Sequence, residues 1–130
     1  MLANLSLYIA FLVTAVLLLG LFVAAYVAIT PYHEFSLIRA GNTAAAWSLG
    51  GVVIGLALPL WSVAAHSIEI VDLFVWGLVG LVSQLAVFFL VSLLLKGLKA
   101  GIEADRASYG MTSAAFSVSV GILNAGSLTT

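Results

Sequence analysis

The sequence predicts an all-α integral membrane protein with four transmembrane helices, built from two parallel two-helix repeats. Three observations predict it. The chain of 130 residues is 64% hydrophobic and 7% charged, with a mean hydropathy of +1.27, whereas a soluble domain is about 45–50% apolar and about 25% charged. Four apolar runs are each long enough to cross a bilayer, which takes about 20 residues at about 1.5 Å each. All 4 Lys and Arg residues fall in two of the connections between those runs.

The first run extends from about Leu5 to Thr30. It lacks a positive n-region and is too long for a signal-peptide h-region, so it reads as a retained membrane helix. Pro31 terminates it, because proline has no N–H to give a helix. His33 to Arg39 is then a short polar connection. The second run starts near Asn42 and ends near Ala65, with a kink expected at Pro59. An Asn42 oxygen can accept from the free N–H groups of a first helical turn, which matters most where water is scarce. The third run covers about Ile70 to Leu95. The connection before it carries His66, Glu69 and Asp72 at i, i+3 and i+6. A metal site wants more ligands and a second shell, so these residues read as a solvated interfacial loop. The fourth run goes from about Ala107 to Gly126 and is the least apolar, with Ser108, Thr112, Ser113, Ser117 and Ser119. It counts as a span because no charge follows Arg106. Trp47, Trp61, Trp76, Tyr8 and Tyr32 suit interfacial belts.

Direction follows from the positive-inside rule. Arg39 lies between spans one and two, and Lys96, Lys99 and Arg106 lie between spans three and four. Both of these loops are expected in the cytoplasm. The middle loop and both termini are expected outside, in the periplasm of a bacterial inner membrane.

A shift of about 64 residues lays one half on the other, pairing Leu17 with Leu81, Leu21 with Leu85, Val23 with Val87 and Ile38 with Ile102. The single membrane domain, 1–130, thus divides into repeat one, about 1–66, and repeat two, about 67–130. Each repeat is a long aliphatic helix, a charged loop and a helix rich in small residues. Both enter the membrane in the same sense, which predicts a pseudo-two-fold axis along the membrane normal.

Lipid tails are as apolar as leucine, so membrane helices associate through close packing of small residues. Ala44, Ser48, Gly51 and Gly55 recur on one face of span two. Gly110, Ala114, Ser117, Gly121 and Ala125 do the same in span four. Spans two and four are therefore expected in the centre, with spans one and three facing lipid. The polar residues within the membrane are Asn42, Ser48, Ser83, Gln84 and Asn124. No Asp, Glu, Lys or Arg is expected deep in a span, which argues against an energised transporter with an ion relay. Gln84 is expected to hydrogen-bond within the bundle or to a second chain.

The segment TPYHEFSLIRAGNTAAA carries Pro31, Glu34, Asn42, Thr43, Ala44 and Ala45, and a Gly-Ile-x-Asn-Ala pattern follows at Gly121, Ile122, Leu123, Asn124 and Ala125. With these motifs at this separation, nearly the whole chain resembles the YjfL family of small bacterial inner-membrane proteins, a family of unknown function. The family often repeats its Asn-Thr-Ala-Ala element in the second half. Arg106, Ala107, Ser108 and Tyr109 occupy that place here, so the second element is missing. The context of such proteins, beside phage-shock-type membrane-remodelling proteins and polyamine-related enzymes, implies a role in envelope stress or membrane integrity.

The residues themselves suggest an oligomeric structural or interaction module in the bilayer, most simply a two-fold homodimer formed through the small-residue faces. Lys96, Lys99 and Arg106, with Arg39, would meet a peripheral cytoplasmic protein or anionic lipid, each cation contributing about 1 kcal/mol near an anionic surface. Glu34, Glu103 and Asp105 dilute that field. The alternative is a small channel or transporter, an oligomer lined by Ser48, Asn42, Gln84, Ser117 and Asn124. No ionisable groups converge on a catalytic arrangement, so no enzyme is expected. No cofactor or metal is expected. With 0 cysteines and a net charge of −1, the chain offers no thiolate ligand and no basic field for nucleic acid.

Overall fold

A computed structural model describes residues 2–66 and 69–127, and all regular structure in them is helical. The order is α1 (Leu2–Ile29), α2 (Glu34–Arg39), α3 (Thr43–His66), α4 (Ile70–Leu94), α5 (Leu98–Glu103) and α6 (Ala107–Ser127). The four long helices fall where the apolar runs do. Helices α1, α3 and α4 are long and apolar enough to cross a membrane. Helix α6, with 21 residues, has the length but carries more Ser and Thr. The two polar connections are not plain loops, since each contains a six-residue helix, α2 and α5. Helix α3 continues beyond Pro59 to His66, so this proline lies inside the helix rather than at its end.

Helices α3 and α6 run parallel and touch along their length. Ala44 meets Gly110, Gly51 meets Ala114, Gly55 meets Gly121, and Ser62 meets Ala125. The contact is this close because the facing residues have almost no side chain. A Cβ on Gly51 would stand 2.5 Å from Ala114 Cα. Helix α1 lies beside α4, with Phe22 and Phe74 ring centroids 6.3 Å apart and Tyr26 against Phe88 at 6.5 Å.

Two expectations need correction. Helix α4 is not simply a lipid-facing wall, because it packs on α1, α3 and α6. Leu73, Leu81, Gln84, Val87 and Val91 are buried. A helix apolar nearly all round has no broad polar face to set its orientation, so shape decides; Gly77 leaves room for Phe22 and Leu60 to close on α4. The pseudo-two-fold axis also fails. It would match the packing of α3 on α4 with an equal packing of α6 on α1, and no comparable contact joins those two. The halves instead lie side by side, α1 next to α4 and α3 next to α6.

Both short helices end in the same turn. Gly41 and Asp105 take left-handed conformations, with φ of 92° and 58°. Gly41 N–H donates to Ile38 O and Asn42 N–H to Leu37 O, each at 2.9 Å. Asp105 N–H donates to Ile102 O at 3.0 Å and Arg106 N–H to Gly101 O at 2.9 Å. This paired pattern is a Schellman ending, which suits glycine and is tolerated by aspartate. It reverses the chain sharply enough to start α3 and α6 at once.

Candidate functional site

Two polar groups of the bundle lie at the end that holds α2 and α5. The first group joins the two connections. Asn42 Oδ1 accepts from Ala45 N–H at 2.8 Å, a standard N-cap. Asn42 Nδ2 donates to Ile102 O at 2.7 Å, across to α5. Asp105 returns the contact, since its Oδ1 accepts from Thr43 Oγ1 at 2.8 Å and from Ala44 N–H at 2.9 Å. The start of α3 is thus capped from both halves of the chain. The Ala44 N–H, helped by the Thr43 hydroxyl, holds the Asp105 carboxyl below the usual aspartate range. Arg106, in the place of the missing second Asn, lies over the Tyr109 ring at 5.9 Å.

The second group overturns a reading of the sequence. Glu34 is not a solvated loop residue that dilutes the cations, because only 1% of it is exposed. Pro31 ends α1, the chain folds back, and α2 packs on α3 with Glu34 turned inward. Thr30 Oγ1 lies 2.9 and 2.8 Å from the two carboxyl oxygens. Burial pushes the Glu34 carboxyl above its ordinary value, while the Thr30 hydroxyl, its own N–H and His33 oppose that shift. Tyr32 is buried beside it, and burial pushes its phenol up to about 12. Tyr32 Oη and Ser48 Oγ stand 3.5 Å apart, and Ser48 Oγ donates to Ser113 Oγ at 3.3 Å. The missed signal was the i, i+4 spacing of Thr30 and Glu34 across a proline.

Deeper in the bundle Gln84 is fully buried, and its Nε2 donates to Ser117 O at 3.1 Å. Its Oε1 has no hydrogen-bond partner, nor has Asn124 Nδ2. The predicted small residues Ser48, Gly51, Gly55, Gly110, Ala114, Ser117 and Gly121 all line the single α3–α6 seam and are buried there. They meet inside one chain, so they are not free to meet a second. Arg39, Lys96, Lys99 and Arg106 are all exposed at the end that carries α2 and α5. The His66 side chain lies outside the described residues, as do residues 67–68, and the expected spacing of His66 with Glu69 and Asp72 falls there.

Residues 1–128 match the family described as Domain of Unknown Function (DUF350). The chain belongs to the DUF350 family. Among DUF350 relatives, the UPF0719 inner membrane protein YjfL of Escherichia coli K12 is 36% identical over 119 residues, covering 92% of this chain and 89% of that protein. The UPF0719 transmembrane protein YshE of Bacillus subtilis 168 is 33% identical over 114 residues, covering 83% of this chain and 81% of that protein. No solved structure matches. The DUF350 assignment and the long apolar helices together make this a membrane protein.

Proposed function

We propose that the chain is a four-span structural or interaction module of the bacterial inner membrane, which presents one cationic end to a peripheral protein or to anionic lipid headgroups. One observation carries this reading: Arg39, Lys96, Lys99 and Arg106 are exposed together beside α2 and α5, on a body tied rigid by the Asn42 and Asp105 caps. That end is cytoplasmic by the positive-inside rule, with both termini periplasmic. Helix α6 crosses the bilayer as the fourth span, since 21 residues suffice for about 30 Å of hydrocarbon.

The duplicated unit is supported by helix bounds: α2 and α5, and likewise α3 and α6, begin 64 residues apart and share the same turn. A homodimer remains the simplest assembly. Its contact would use the open side of the seam at Ala46, Trp47, Gly50 and Val118, because the buried small residues are already occupied. The link to envelope stress or membrane integrity rests on the family resemblance. No catalytic step forms part of the reading.

A pore lined by Asn42, Ser48, Gln84, Ser117 and Asn124 is less well supported. Ser48, Gln84 and Ser117 are buried within one chain, and Asn42 is spent on capping. Proteoliposomes of the full chain separate the readings. The module predicts no solute-dependent flux, together with capture of a cytoplasmic protein or anionic vesicles that weakens in a Lys96→Gln, Lys99→Gln, Arg106→Gln variant. Solute flux without such capture overturns it.

A further inference from the structure

Glu34 plays no part in the cationic end, and a carboxyl group this buried in a membrane protein calls for its own account. Hydrogen-bond counting around it decides its charge. Pro31 has no N–H, so the Val27 carbonyl, four residues earlier, loses its helical donor. The Thr30 hydroxyl fills that gap, with Thr30 Oγ1 3.2 Å from Val27 O. The same hydroxyl faces both Glu34 oxygens at 2.9 and 2.8 Å. A hydroxyl carries one proton and two lone pairs. It cannot donate to Val27 O and to a carboxylate together. An ionised Glu34 therefore takes the hydroxyl proton away from the part-buried Val27 carbonyl, which has no helical N–H to replace it. A neutral Glu34 closes the chain: its O–H donates to Thr30, and Thr30 donates to Val27 O. The titratable neighbours are Tyr26 of α1, Tyr32 and the exposed His33. Helix α3 offers none between Thr43 and Gly51. The cations Arg39, Lys96 and Lys99 and the acid Glu103 point to solvent.

We propose that Glu34 is a proton-binding site, a neutral carboxylic acid at neutral pH whose O–H donates to the Thr30 hydroxyl, which donates in turn to Val27 O, and that this chain of hydrogen bonds fastens α2 to the end of the bundle. The ligand is the proton itself. Because burial raises the folded-state value, the hold on α2 is complete below the ordinary glutamate value. It is lost as pH rises through the raised one.

Infrared titration of the full chain in lipid nanodiscs tests this, with hydrogen exchange of α2 read against α5. The expected result is a protonated-carboxyl band at neutral pH that persists in Glu103→Gln and vanishes in Glu34→Gln. The amide of that variant keeps the shape and a donor for Thr30, so the fold is retained. Opening of α2 in the unaltered chain should rise about tenfold per pH unit between the two values, and in Glu34→Gln it should follow α5. A carboxylate at position 34 at neutral pH overturns the proposal. So does a band that survives Glu34→Gln, or an α2 that follows α5 in both proteins.

Discussion

Replacing Gly51 by alanine puts the α3–α6 seam under direct load. The new Cβ would lie 2.5 Å from Ala114 Cα, 2.8 Å from its Cβ and 2.9 Å from its carbonyl oxygen. Two of those atoms are backbone, which no rotamer change can move. Ordinary contact begins at 3.4 Å, so α6 must retreat by about 0.9 Å, and a gap of that size forfeits about a quarter to a half of the dispersion attraction between facing atoms. Overpacking of this kind costs about 1–3 kcal/mol, and alanine returns about 0.5–1 kcal/mol through backbone entropy. We expect a net loss of about 1 kcal/mol. The retreat also stretches the Ser48–Ser113 contact beyond its 3.3 Å. Gly50 supplies the control, since a Cβ there meets nothing within 4 Å. Gly50→Ala should be neutral or more stable by up to about 1 kcal/mol. Steric-trap unfolding of both full-length variants in bicelles measures the difference. Equal unfolding free energies would refute the claim that these helices touch through backbone at Gly51.

Three further outcomes follow from the caps and the buried amide. Asn42→Ala should lower stability by about 1–2 kcal/mol in the same assay, because Ala45 N–H and Ile102 O both lose a partner. Asp105 is held below its ordinary value, so its contribution is present above that value and lost as pH falls through the depressed one. Asp105→Asn should flatten the acid limb of a stability–pH curve, and an unchanged limb would remove Asp105 from the cap. Gln84→Met gives up the bond to Ser117 O, yet it also removes the unpartnered Oε1. Its unfolding free energy should move by no more than about 0.6 kcal/mol, and a loss several times larger would mean that Oε1 has a bound partner.

The long helices were legible because continuous apolar runs leave few other solutions in a bilayer. Asn42 was legible for a similar reason, since a cap residue beside a run of Ala has one obvious use. Gly51, Gly55, Gly110 and Gly121 were legible as a packing face, but not their mutual pairing within one chain. That pairing depends on which helices are neighbours, and spacing along one helix is silent about neighbours. The same silence hid the position of α4, whose apolar residues surround it and name no inward face. Glu34 was missed because hydropathy treats a charged residue in a short connection as solvated. Only the fold-back at Pro31 turns it inward. Asp105 was read as a charge that offsets nearby lysines, and its hydrogen bonds to Thr43 and Ala44 span too much sequence for any local pattern to reveal.

The reach of Asp105 back to Ala44, 61 positions earlier in the chain, has a consequence for biosynthesis. At about 5–20 residues per second, the ribosome needs about 3–12 s to deliver the carboxylate that finishes the start of α3. Through that interval the first hairpin waits in the bilayer with an incomplete end. Insertion of the early helices and completion of the α3 cap are therefore separate events, and the second is timed by the arrival of Asp105.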